Sequence, residues 1–275
     1  MKNKKTLWLK WIALALCLCL VIAGCSPVKG VTIPPFELSL SAPAMAMVET
    51  VGYFTYEGRY YIQYDQLHDT EHMGEYLGTV PGLLQEWTPE DGLVDFAGRP
   101  YGDVYTVEGY DPDFILCKQE VPGAPVFIYI NNNGITLTYG SELFEDRLHL
   151  SRDLLSAQYE SPESRFTEKG ELYEINKDNK VLRDLLSELN SAPFLLSDSV
   201  PLPEGVTYLR ASQLYWLYFQ TKTGMPIQLT LHENGYICFD GTDLVCQKLS
   251  DKTYRALLEL MDNHTDSTAV SKKRF

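Results

Sequence analysis

The feature that most constrains the fold is a repetition. Residues 123–148, "GAPVFIYINNNGITLTYGSELFEDRL", align without a gap with residues 224–249, "GMPIQLTLHENGYICFDGTDLVCQKL", at an offset of 101. Gly123, Pro125, Asn133, Gly134, Gly140, Leu143 and Leu148 meet identical residues, and Ile128 and Ile130 meet Leu229 and Leu231. Asn133-Gly134 and Asn234-Gly235 are dipeptides that accept the positive φ of a tight hairpin turn. Gly140 and Gly241 mark a second turn, and the apolar residues between alternate with the strand period of two. Each copy therefore reads as a three-strand antiparallel meander, to which "FILCKQ" and "YWLYFQ", at the same offset, add a fourth strand. The expected fold class is α+β, with two related antiparallel β-rich domains, the second covered by helices.

The helices are read from a different period. "NKVLRDLLSELN" places Val181, Leu182, Leu185, Leu186 and Leu189 on one stripe, and "SDKTYRALLELMDN" follows a capping Ser250 with Tyr254, Leu257, Leu258 and Met261 on one face. Both stripes are expected to be core. "GYFTYEGRYYIQY" alternates aromatic and β-branched residues around Glu57-Gly58, a hairpin signal, and strands follow at 103–107 and 114–119 around the Asp111-Pro112 turn. The polar stretch 159–170 suggests the junction, giving domains at 48–158 and 171–262 and a disordered tail at 263–275.

The amino terminus carries an address. A basic head, an apolar run from Trp11 to Ala23 and the box Ile22-Ala23-Gly24-Cys25 have the layout of a lipoprotein signal peptide, 1–24. Cys25 would become the acylated amino terminus, and residues 25–47, rich in Pro, Ser and Ala, would form a tether that lifts the folded part off the membrane. Without the leader's four lysines the chain keeps 19 basic against 37 acidic residues, a net charge of −18. That balance argues against nucleic acid as a partner. Of the six cysteines, Cys117, Cys238 and Cys246 remain beyond Cys25; Cys238 and Cys246 flank the Asp240-Gly241 turn and could pair as a disulfide, or simply pack as small apolar residues.

The search for chemistry returns fragments. His68 and His72, four apart in "HDTEH", are the best metal-ligand candidates, but Asp69 follows the first histidine where a zinc protease has Glu, and only Glu71 and Glu75 lie nearby. Lys222-Thr223-Gly224 has the form of a penicillin-binding strand motif, yet its serine partner spacing occurs only at Ser26–Lys29 beside the lipid, so a hairpin turn is the better account. Asp111-Pro112-Asp113 reads as a turn rather than a calcium loop. Tyr53, Tyr56, Tyr60, Tyr61 and Tyr64 crowd one hairpin and could form a ligand surface or pack a core.

The leader together with "YFTYEGRYYIQY", "GEYLGTV" and "GDVYTVEGYDPDFILC" resembles small surface lipoproteins of Gram-positive bacteria whose role is not established. The resemblance implies location and fold style and carries over no functional residue except Cys25. The chain is thus expected to be a lipid-anchored, extracytoplasmic and non-catalytic protein, without cofactor, that binds a protein or cell-envelope ligand. The alternative is a zinc-dependent envelope hydrolase using His68 and His72.

Overall fold

The computed structural model describes residues 28–34, 52–67, 70–82, 94–166, 170–207, 209–242, 244–262 and 269–270. It opens with β1 (Val31–Thr32), followed by the strands of a first sheet: β2 (Tyr53–Tyr56), β3 (Arg59–Leu67), β4 (Met73–Val80), β5 (Gly98–Arg99), β6 (Gly102–Val107), β7 (Ile115–Gln119) and β8 (Val126–Ile130). Their order is β4-β6-β7-β8-β3-β2-β5, every pairing antiparallel. A short β9 (Thr136–Leu137) leaves this sheet to pair with β1.

The second sheet comprises β10 (Leu154–Glu160), β11 (Leu172–Ile175), β12 (Phe194–Leu196), β13 (Gln213–Thr221), β14 (Pro226–His232), β15 (Tyr236–Phe239), β16 (Val245–Lys248) and β17 (Ala269–Val270). Its order is β12-β16-β15-β14-β13-β10-β11-β17. Helical turns α1 (Ser141–Phe144), α2 (Leu150–Asp153) and α3 (Pro162–Phe166) lie between or beside the sheets, and two longer helices, α4 (Lys180–Ser191) and α5 (Asp251–Asp262), pack on the second. The architecture is α+β, built on antiparallel sheets, with the helices covering the second as the apolar periods require.

Both long helices form where their sequences say. Asn179 caps α4 by accepting from the Val181 amide at 2.7 Å, and Ser250 Oγ accepts from the Thr253 amide at 3.3 Å ahead of α5. Leu182, Leu185, Leu186 and Leu189 of α4 and Leu257, Leu260 and Met261 of α5 are buried. They meet Leu217, Leu229, Leu231 and Ile237 of the second sheet in a single apolar cluster, which also takes Ile115, Cys117, Ile128 and Ile130 of the first. The two sheets thus share a core. Polar contacts reinforce the join: the Gln228 amide donates to Tyr64 Oη at 2.8 Å, Asn132 Nδ2 donates to the Gly241 carbonyl at 2.6 Å, and Tyr110 Oη lies 2.8 Å from Thr223 Oγ1.

The repeat is borne by backbone in part only. Gly123 and Gly224 both adopt positive φ, 85° and 76°, in corresponding hairpin turns. The second copy is the expected meander β14-β15-β16. The first is not: β9 pairs with β1, and the end of α1 and the turn after it stand where the second copy has β16. The preceding strands also differ. Gln119 pairs with Val126, whereas Gln220 pairs with Pro226, one residue nearer the turn. A one-residue slip exchanges the faces of a strand. Cys117 therefore points into the shared core while its partner at the same offset, Tyr218, points to the opposite face.

Three boundaries move. The second sheet reaches back to Leu154, ahead of the junction that composition suggests, because β10 pairs with β11 and β13. Within the expected tether, Ile33 is buried and its amide donates to the Ile135 carbonyl at 2.9 Å, so the chain docks at β1. Within the expected tail, Ala269 and Val270 pair with Tyr173 and Leu172.

The outer face of the first sheet carries a second, smaller core: Phe54, Tyr61, Val80, Val104, Leu116 and Tyr129. Lys118 is enclosed with it, 1% exposed. Its Nζ donates to the Pro100 carbonyl at 2.5 Å and lies 4.8 Å from the Tyr129 ring centre. Burial pulls the Lys118 pKa from 10.5 down to about 7.

Candidate functional site

The expected site residues do not converge. The tyrosine hairpin forms no exposed strip, because both faces of its sheet are covered. Tyr61 stacks on Phe54 with centroids 5.3 Å apart and sends its hydroxyl to the Pro112 carbonyl at 2.9 Å; Tyr53 is buried as well. Tyr64 points the other way, its ring 5.4 Å from Phe239 in the second sheet. Tyr56, Tyr60 and Tyr64 are half-buried. His72 ends a short turn, Thr70–His72, with Nδ1 4.0 Å from Glu108 Oε2. His68 and Cys25 lie outside the described residues, among which no group of three metal-ligating side chains converges. The Asp111 carboxylate accepts from the Asp113 amide at 2.9 Å and Asp113 pairs with Arg59 at 2.8 Å, which is turn chemistry. Lys222-Thr223-Gly224 is a hairpin turn, closed by the Gly224 amide on the Thr221 carbonyl at 3.1 Å.

A site emerges instead on the face of the second sheet turned away from α4 and α5. Strand alternation sends Leu217, Leu229 and Tyr159 inward, so their neighbours face outward. Register aligns these in two rows across the sheet. One runs Glu160, Trp216, Thr230, Cys238, Cys246; the other runs Gln158, Tyr218, Gln228 toward Asp240. Cys238 and Cys246 sit directly opposite each other, Cα atoms 4.2 Å apart, and are joined as a disulfide at one margin of this face.

Helix α3 follows β10 after the single residue Ser161 and turns back over β13. That places the Arg165 guanidinium 4.5 Å from the Trp216 ring centre, with Nη1 3.0 Å from Glu160 Oε2 and 2.7 Å from Tyr218 Oη. Tyr218 also donates to Glu160 Oε2 at 2.8 Å. The Glu160 side chain is fully buried, a position that a carboxylate holds only when paired and hydrogen-bonded. Arg165 is held from below by an acid and a phenol, across an indole face, and its side chain remains 30% exposed.

Arg165 divides two recesses and lines both. One, of about 160 Å³, is bordered by Asp65, Ser156, Tyr218 and Gln228. The other, of about 440 Å³, is bordered by Arg210, Gln213, Trp216, Thr230 and His232, with Asp240 at its margin. Asp240 accepts from Thr230 Oγ1 at 2.7 Å and from the Gln228 side-chain amide. His232 Nδ1 is 3.1 Å from the Leu209 carbonyl, which can only accept, so the ring proton sits on Nδ1. Ser212 Oγ is 3.1 Å from the same nitrogen and donates to the same carbonyl at 2.7 Å. This pair fixes an imidazole; it does not activate a serine, since the nitrogen facing the hydroxyl carries a proton. Gln158, 7% exposed and opposite Tyr218, keeps an amide oxygen that has no hydrogen-bond partner among the described residues. Together the groups offer a fixed guanidinium, an aromatic wall and several amide and hydroxyl hydrogen-bonding positions.

Sequence reasoning missed Glu160 and Arg165 because they fall in the stretch that reads as a junction. The signal was present in the polar halves of three strands: Ser156, Gln158 and Glu160; Trp216, Tyr218 and Gln220; Gln228, Thr230 and His232, each at a spacing of two. No family model matches this chain, and no curated protein or solved structure matches it either.

Proposed function

We propose that this chain is a lipid-anchored, extracytoplasmic binding protein without catalytic activity, and that the recesses around Arg165 hold a small polar ligand bearing an anionic group. The observation that carries the reading is the guanidinium fixed by Glu160, Tyr218 and Trp216 between two recesses. An arginine held in one orientation has little entropy left to lose when it forms a bidentate pair with a carboxylate or similar group. Arg210 borders the same space, in a chain whose overall charge is strongly negative. The membrane location rests on the Ile22–Cys25 box.

The test is calorimetric titration of the purified chain with amino acids, dicarboxylates and short peptides, in parallel with Arg165→Ala. Saturable binding lost in the variant supports the reading; no binding by any member of the panel counts against it. Metal analysis on the same material tests the competing enzyme. Stoichiometric zinc that disappears in His72→Ala would replace this proposal. Cys25→Ser should abolish the lipid-dependent mass and membrane sedimentation.

A further inference from the structure

The strap formed by β1 bears on how the protein sits at a membrane. Val31 and Thr32 pair with Leu137 and Thr136, the Gly134 amide donates to the Ile33 carbonyl at 3.0 Å, and Ile33 enters the shared core at 2% exposure. A side chain at Gly30 would collide with Thr136 and Thr138, so the chain lies close against β9 before β1 begins. The folded body is thus seized only six residues after Cys25. A residue spans at most ~3.6 Å, so Val31 stays within about 22 Å of Cys25 even at full extension. A leash that short keeps the body within about 22 Å of its anchor, close enough for one face to rest on the bilayer.

The surface around the strap suits that position. Residues 28–34, "VKGVTIP", and 131–140, "NNNGITLTYG", contain one lysine, Lys29, and no acidic residue, in a chain of net charge −14. Val28 and Tyr139 are exposed there, at 44% and 40%. One carboxylate reaches this corner, that of Glu142, which accepts from the Thr138 amide at 2.8 Å and balances Lys29, so the corner carries little of the chain's net negative charge and an anionic lipid surface repels it less than the acidic remainder.

We infer that the β1–β9 corner is a lipid-facing surface, held against the membrane that carries the anchor. The inference rests on the reading that Cys25 is acylated. The test uses the full-length lipidated protein in phosphatidylcholine–phosphatidylglycerol vesicles containing a nitroxide-headgroup lipid. A fluorophore is placed on Thr136→Cys, at the corner, or on Val121→Cys, in the exposed turn at the other end of β8; the native Cys117 is buried, with its thiol pKa raised to about 12, and does not compete for label. The five residues of β8 span about 17 Å of extended chain between the two ends, so quenching should be at least about twofold stronger at 136 than at 121. Inserting a twenty-residue Gly-Ser linker after Ser26 should erase the difference. Equal quenching in a vesicle-bound, lipidated protein overturns the orientation while leaving the anchor intact. A chain that carries no lipid and does not bind vesicles overturns the anchor reading and this one with it.

Discussion

Lys118 allows a quantitative prediction. Its ammonium is enclosed by Phe54 and Tyr129 with the Pro100 carbonyl as its acceptor, and burial lowers its pKa from 10.5 to about 7. At ~1.4 kcal/mol for each pH decade, a fall of that size amounts to about 5 kcal/mol. The direction follows from proton counting. Between pH 7 and 10.5 the unfolded chain holds a proton at this site that the folded chain has released, so unfolding stability rises with pH across that window. Below pH 7 both forms are charged and the full penalty for the buried cation persists. Lys118→Met removes the ionisation and keeps a flexible apolar stem of similar length. At pH 6 the variant should be more stable than the parent by about 3 kcal/mol, the burial penalty less the lost hydrogen bond. Denaturant unfolding of both proteins from pH 6 to 9.5 provides the assay, the difference curve cancelling the titrating groups remote from position 118. Between pH 7.5 and 9.0 the difference should shrink by about 2 kcal/mol. Higher pH is avoided because Tyr61 and Tyr129, whose pKa values burial raises, contribute with the opposite sign. Parallel curves throughout the range would refute the reasoning, since they would mean that the amine keeps its proton and its water in the folded state.

Other perturbations follow from packing. Gly140→Ala would thrust a Cβ into the Leu189 carbonyl of α4, and an overpacking cost of about 2–3 kcal/mol should appear as a lowered denaturation midpoint. Replacing both Cys238 and Cys246 with alanine frees a loop spanning eight residues of separation, a loss of about 2.5 kcal/mol by loop entropy, measured against the oxidised parent. Tyr64→Phe leaves the Gln228 amide without its acceptor and should cost about 1–3 kcal/mol in unfolding free energy. Gln158→Leu removes a buried amide oxygen that has no partner among the described residues, and should leave stability equal or higher while weakening any ligand that donates to it.

Periodic signals were the legible part of the fold. The α4 and α5 stripes, the hairpin turns at Gly123 and Gly224 and the β14-β15-β16 meander are local arrangements, each set by residues within one or two turns of chain. What sequence similarity hid was register. The residues of β7 and β13 align well, but a turn one residue shorter inverts the second strand, and no comparison of residue types reports that. The recesses were hidden for a related reason. Glu160 joins the second sheet, and Arg165 in α3 lies over it, only because β10 pairs with β13, so a reading that cuts the chain at its most polar stretch separates them from Trp216 and Tyr218. The tyrosine hairpin misleads by composition: aromatic density marks contact area, and burial on both sides of a covered sheet uses it as well as a binding surface would.

The common core has a consequence for how such a chain can change over time. Ile128 and Ile130 of one copy and Leu229 and Leu231 of the other press into the same apolar interior. The two halves are not separable: a volume change in either must be answered in the other across the shared interior, and each keeps only a small cluster of its own besides. Divergence is therefore free only where the copies face away from one another, and it is there that one half came to enclose a lysine and the other a hollow.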